Sequence, residues 1–179
     1  ACHHFDLVHW WIGQKVSEVY AHGALNFYGP KGVHNPLKKS QIGDGRTCPT
    51  CDAQAKCPYF MRWSRKEWRT GSSPSVFPHK YDGYSARQCI FDPRIDIEDT
   101  YAAVMRYDGG AFLNYSLNAS TPYEGFRLGI NGTEGRLDYQ EFHDVSCLPF
   151  PDPGQQPVIL YPMFGGRETI DVIRHEGGH

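Results

Sequence analysis

The spacing of apolar and polar positions divides this chain into recognisable pieces. Phe5, Val8 and Ile12 recur at helical spacing and Gly13 follows them, so residues 3–12 read as a short helix with a glycine stop. From 15 to 24 the pattern turns to alternation, with Val16, Glu18 and Tyr20 set against Ser17, Val19 and Ala21. That is the period of a strand. Residues 26–46 are rich in Gly, Pro and Lys and read as loop. A helix over 58–70 would draw on Phe60, Trp63 and Trp68, and 71–86 return to loop composition. The second half is clearer. Residues 100–107 and 111–119 flank Asp108-Gly109-Gly110, and 126–130 and 136–139 flank Asn131-Gly132-Thr133-Glu134-Gly135. Each set reads as a hairpin. Residues 145–148 and 158–161 add two short strands on either side of a Pro-rich stretch at 149–157.

Strands that follow one another through tight turns pair antiparallel, and so few helical segments cover only one face. The pattern predicts an α+β domain with an open, predominantly antiparallel sheet and helices on one face. In the first hairpin Tyr101, Ala103, Met105, Leu113, Tyr115 and Leu117 share the apolar side, while Ala102, Val104, Arg106, Phe112, Asn114, Ser116 and Asn118 share the mixed one. A mixed face of this kind suits packing against another subunit as well as solvent.

Composition narrows the choice. The 179 residues suffice for one domain with a core, and aromatic residues at 14% add bulk to a hydrophobic fraction of 40%. With 18 basic and 20 acidic residues there is no basic stripe, which argues against a nucleic-acid partner. No apolar run approaches a membrane span. Six cysteines (Cys2, Cys48, Cys51, Cys57, Cys89 and Cys147) are too sparse for a disulfide scaffold. A reducing, cytoplasmic setting fits them.

Two groups of residues carry candidate chemistry. His3 and Asp6 stand one helical turn apart on one face. An imidazole there can take a proton near neutral pH, with Asp6 orienting it or holding a substrate hydroxyl. The plainer alternative is that His3, His4 and Asp6 cap the helix. The second group is Cys48-Pro49-Thr50-Cys51 followed by Cys57, with Cys89 farther on at the start of an expected strand. A Cys-x-x-Cys pair can hold one tetrahedral metal, and Cys48, Cys51, Cys57 and Cys89 would complete a structural zinc site. Free thiols in a partly ordered loop, or a disulfide formed during handling, are the alternatives, and the second pair lacks the Cys-x-x-Cys spacing. Cys2 and Cys147 read as buried thiols.

Several segments together resemble the C-terminal part of the glucose–fructose oxidoreductase / inositol dehydrogenase / MocA family. They are Cys2-His3-His4-Phe5-Asp6-Leu7 with Trp10-Trp11-Ile12-Gly13, the hairpin over 101–119, the turn Gly129-Ile130-Asn131-Gly132-Thr133-Glu134-Gly135-Arg136-Leu137, and the tail His175-Glu176-Gly177-Gly178-His179. The resemblance covers nearly the whole chain. It implies a dihydrodipicolinate-reductase-like C-terminal domain. Residues 1–179 would then be the substrate and oligomerisation domain of a two-domain oxidoreductase, with a loop-rich, cysteine-containing insertion at about 30–90. It implies that His3 is the catalytic residue and that Asp6 and His179 bind substrate. It also implies hydride transfer between NAD or NADP and a secondary hydroxyl of a sugar or cyclitol.

The sequence contains no Gly-x-Gly-x-x-Gly segment between a strand and a helix, so the N-terminal Rossmann domain of such enzymes is absent from it. The chain is therefore expected to be inactive alone, to bind no dinucleotide itself and to pair with like subunits through the sheet face. Both chain ends fall inside apparent motifs, which fits a piece of a larger enzyme. Three alternatives remain at this level: a non-catalytic binding or oligomerisation module of the same fold, an NAD-dependent glycoside hydrolase of the same superfamily, and a zinc-dependent regulatory domain.

Overall fold

The computed structural model describes residues 2–37, 45–48, 51–63, 88–143 and 148–172. Helix α1 (Cys2–Ile12) leads into strand β1 (Val16–Ala24). A 3-10 turn (Gln54–Lys56) and helix α2 (Pro58–Trp63) follow, and then strands β2 (Thr100–Tyr107), β3 (Phe112–Asn118), β4 (Glu124–Asn131), β5 (Gly135–His143), β6 (Val158–Pro162) and β7 (Glu168–Ile170). The chain forms two units, residues 1–120 and 121–179.

Every strand pairing among the described residues is antiparallel, and the α+β class stands. Hydrogen bonding divides the strands between two sheets, in the orders β1-β2-β3 and β4-β5-β6-β7. In the first unit α1 ends where Gly13 donates its N–H to the His9 carbonyl at 2.9 Å with φ +64. This is the left-handed position a glycine fills at low cost. The β2–β3 hairpin turns through Asp108, Gly109 and Gly110, with Gly110 at φ +87 and its N–H bonded to the Tyr107 carbonyl. Register places Tyr20, Val104 and Asn114 across from one another on one face and Ala21, Ala103 and Tyr115 on the other. The faces are those the alternation predicts. Ala103 and Tyr107 are buried, whereas Ala102, Val104, Phe112 and Ser116 stand open.

Helix α1 lies against the apolar face. Phe5 packs on Tyr115 with ring centroids 4.5 Å apart, and His9 stacks near Tyr107 at 6.4 Å. His4, Phe5, Val8 and Ile12 are half-buried along that contact. Cys2 does not fit the expectation of a buried thiol. It begins α1 and is exposed, because the first residue of a helix lies beyond the stripe that packs.

The second unit is a meander of four strands. Its β4–β5 turn is closed by Gly132 donating to the Gly135 carbonyl at 2.8 Å, as the Asn131–Gly135 turn signal predicts. Tyr123, Phe142 and Phe150 cluster with centroids 5.4 to 5.6 Å apart. Strand β7, exposed and three residues long, has no counterpart in the sequence reading. Residues 64–87 and 144–147, which include most of the expected strand at 145–148, the end of the expected 58–70 helix and Cys147, lie outside the described residues. No helix among the described residues is long and apolar enough to cross a membrane.

Candidate functional site

Helix α1 has two sides with different work. Its inner side is tied to the sheet: His4 Nδ1 and the Tyr115 hydroxyl share a hydrogen bond of 3.0 Å, and their rings lie 5.9 Å apart. Burial, with Tyr101 beside it, pushes the Tyr115 phenol above its ordinary value. The outer side carries His3, Asp6, Leu7 and Trp10, all exposed, with Trp10 at 76%. Positions 3, 6, 7 and 10 share one helical stripe. His3 and Asp6 are therefore brought to the same accessible surface and flanked by apolar side chains. Both side chains are open to any molecule that approaches this side of the helix. His179 lies outside the described residues.

Two buried carboxylates organise the loops beside the sheet, and the sequence reading singled out neither. Asp99, 3% exposed, accepts the N–H of Asn26 (3.0 and 3.1 Å), Phe27 (2.6 Å) and Tyr28 (2.8 Å) and the Thr100 hydroxyl (3.0 Å). Burial alone would raise its carboxyl. The N–H groups of Asn26, Tyr28 and Phe27 and the Thr100 hydroxyl outweigh that and hold it below the ordinary carboxylate range. Asp92, 4% exposed, takes a paired contact from Arg94, Nε to Oδ1 at 2.8 Å and Nη2 to Oδ2 at 3.0 Å, and accepts the Gly45 N–H at 2.8 Å. The Arg94 side chain, against the opposing pull of burial and helped by the Arg94 and Gly45 N–H groups, holds the Asp92 carboxyl low as well.

Between these braces lie the cysteines. Cys48, Cys51, Cys57 and Cys89 line one cavity with Leu37 and Phe91. Cys89 is buried, and the other three are half-buried. Cys89 is not at the start of a strand. It follows an isolated bridge between Thr47 and Gln88, and its N–H bonds the Arg46 carbonyl at 2.9 Å. A turn then intervenes before β2 begins at Thr100. Burial, reinforced by Cys89, Cys57 and Cys51, pushes the Cys48 thiol up to about 11. Burial likewise raises Cys89. Phe91, 1% exposed, seals one side and meets Tyr59 edge to face at 5.8 Å. No group of three or more His, Cys, Asp or Glu side chains among the described residues is already set at metal-holding spacing.

Among the described residues, no glycine-lined cradle for a dinucleotide is present. The described glycines at positive φ, such as Gly13, Gly29 and Gly110, stand at a helix end, in a loop and in a hairpin turn. None joins a strand to the N-terminus of a helix, where a pyrophosphate is held.

Helix α1 thus presents His3 and Asp6 on an exposed face while its other face packs on an antiparallel sheet. Comparison with known sequences shows that residues 1–159 match the oxidoreductase family, C-terminal alpha/beta domain, and the chain belongs to that family. Among characterised sequences it is similar to "Putative oxidoreductase YteT" of Bacillus subtilis (strain 168), with 48% identity over 186 aligned residues. The match takes in 99% of this chain and 42% of that protein. The chain thus spans less than half the length of the relative it matches.

Proposed function

We propose that this chain is the substrate-side domain of an NAD(P)-dependent oxidoreductase that acts on a secondary hydroxyl of a sugar or cyclitol. The observation that carries this reading is the split of α1. His4 and Phe5 anchor it to Tyr115, and that anchoring leaves His3 and Asp6 together on its accessible side. His3 takes the proton of the hydroxyl being oxidised. Asp6 accepts a hydrogen bond from a neighbouring hydroxyl and fixes which carbon faces the base, and His179 adds a further substrate contact. A nicotinamide held on a separate domain supplies the hydride acceptor. Trp10 and Leu7 beside the pair offer apolar surface to the C–H face of a ring. The open sheet face, with Tyr20 68% and Phe112 67% exposed, is the surface through which a second copy would pack. The enzyme would work in the cytoplasm.

The test uses the complete protein that carries this chain, assayed by nicotinamide absorbance with NAD and NADP against a panel of sugars and cyclitols. Substrate-dependent reduction is expected. His3→Asn should lower kcat by about 10²–10⁴-fold with little change in KM, and Asp6→Asn should act mainly on KM. Full kcat in His3→Asn would remove His3 from the chemistry. A protein that reduces neither nucleotide with any member of the panel would defeat the assignment of substrate class.

A further inference from the structure

We propose that Cys48, Cys51, Cys57 and Cys89 form the thiolate shell of a structural zinc ion. The inference does not rest on the oxidoreductase reading, since these side chains stand apart from α1's exposed stripe in their own cavity. Its warrant is convergence rather than spacing. From Cys48 onward the chain winds three residues at a time. Cys51 donates its N–H to the Cys48 carbonyl at 3.2 Å, Gln54 to Cys51 at 3.3 Å and Cys57 to Gln54 at 3.3 Å. The first step brings Cys51 to the cavity, and the second and third bring Gln54 and then Cys57 to it. Cys89 arrives from a distant part of the chain, held there by the Thr47–Gln88 bridge and by its own N–H on Arg46.

The chemistry of the lining selects the ligand. Four cysteines line a cavity whose other walls include Leu37, Phe60 and Phe91, and among the described residues neither a carboxylate nor an imidazole lines it. Such a donor set is soft and suits a tetrahedral Zn²⁺, not a hard cation. With four protein sulfurs no position is left for water, so the role is structural. Arg46 supplies an outer contact, its Nη1 donating to Cys51 Sγ at 3.3 Å. A cation placed there offsets thiolate charge and orients the ligand. Among the described residues no group of three or more such side chains is already set to hold a metal, so binding draws the four thiols together. Closure around Zn²⁺ exchanges one proton per thiol, released to solvent, for one sulfur–zinc bond.

Elemental analysis of the complete protein, purified under reductant without chelator, should find about one zinc per chain. Apoprotein titrated with Co²⁺ should develop thiolate-to-cobalt charge-transfer bands and tetrahedral d–d bands that saturate at about one equivalent. Cys51→Ser and Cys89→Ser should each weaken Co²⁺ binding by at least about tenfold and change the bands, and Arg46→Ala should weaken it by about tenfold without changing them. If the serine variants fail to fold, the wild-type stoichiometry and spectrum still decide. A zinc content well below one per chain with no thiolate band on cobalt titration overturns the proposal, as does iron in place of zinc.

Discussion

Replacing Asp99 with Asn tests whether one buried carboxylate fastens the segment after β1. The amide has nearly the same shape but only one oxygen. If that oxygen takes the Oδ1 position it keeps the Asn26 N–H and the Thr100 hydroxyl. The NH₂ then stands where Oδ2 received the Phe27 and Tyr28 N–H groups at 2.6 and 2.8 Å. Two half-buried backbone donors lose their acceptor and face another donor. At about 1–3 kcal/mol for each donor left unsatisfied, the local cost is about 3 kcal/mol. Native-state hydrogen exchange read at the amides of residues 26–28 should accelerate roughly a hundredfold, at about 1.4 kcal/mol per factor of ten. The pH dependence supplies a second readout. The Asp99 carboxyl is held low in the folded chain, so its stabilisation is complete above the unfolded carboxylate value of about 4 and is lost as pH falls through the lower folded value. The Asn variant should therefore lose less stability than wild type on acidification through that window. Exchange at 26–28 unchanged within threefold, or an acid limb identical to wild type, would refute the reasoning.

Phe91→Ala should destabilise the first unit by about 3–5 kcal/mol, seen as a lower urea midpoint, because the ring is 1% exposed and its removal leaves a cavity. Tyr115→Phe keeps the packing on Phe5 but removes the hydroxyl that meets His4. A loss of about 0.5–1.5 kcal/mol in denaturant unfolding is expected, along with a lower kcat in the complete protein if α1 positions His3; an unchanged kcat would separate the anchor from the chemistry.

The hairpins and the division of the first sheet into two faces were readable from alternation. So was α1, because Phe5, Val8 and Ile12 are the residues that pack. What stayed hidden shares a physical cause. Asp99 sits in the run Asp96-Ile97-Glu98-Asp99, which looks like ordinary solvated charge. Its partners are backbone N–H groups more than 70 residues away, and backbone donors leave no trace in side-chain pattern. Asp92 was obscured in the same way, although Arg94 two residues on was a hint. The meeting of the four cysteines at one cavity followed the motif, but Cys89 reaches it through a bridge that no local periodicity announces. The parting of the strands into two sheets was equally silent, since a strand's pattern reports its faces and not its neighbours.

The brace at Asp92 bears on how such chains can diverge. Gly45 bonds the Asp92 carboxylate, Arg46 bonds Cys89, and Thr47 bridges Gln88. The segment entering the cysteine region and the one leaving it are thus clamped side by side. Any stretch between them closes onto a fixed gap, and doubling its length adds only about 0.6 kcal/mol of closure entropy. A change in the length of chain between them therefore costs little while the clamp keeps its place, and length variation among relatives should accumulate there first.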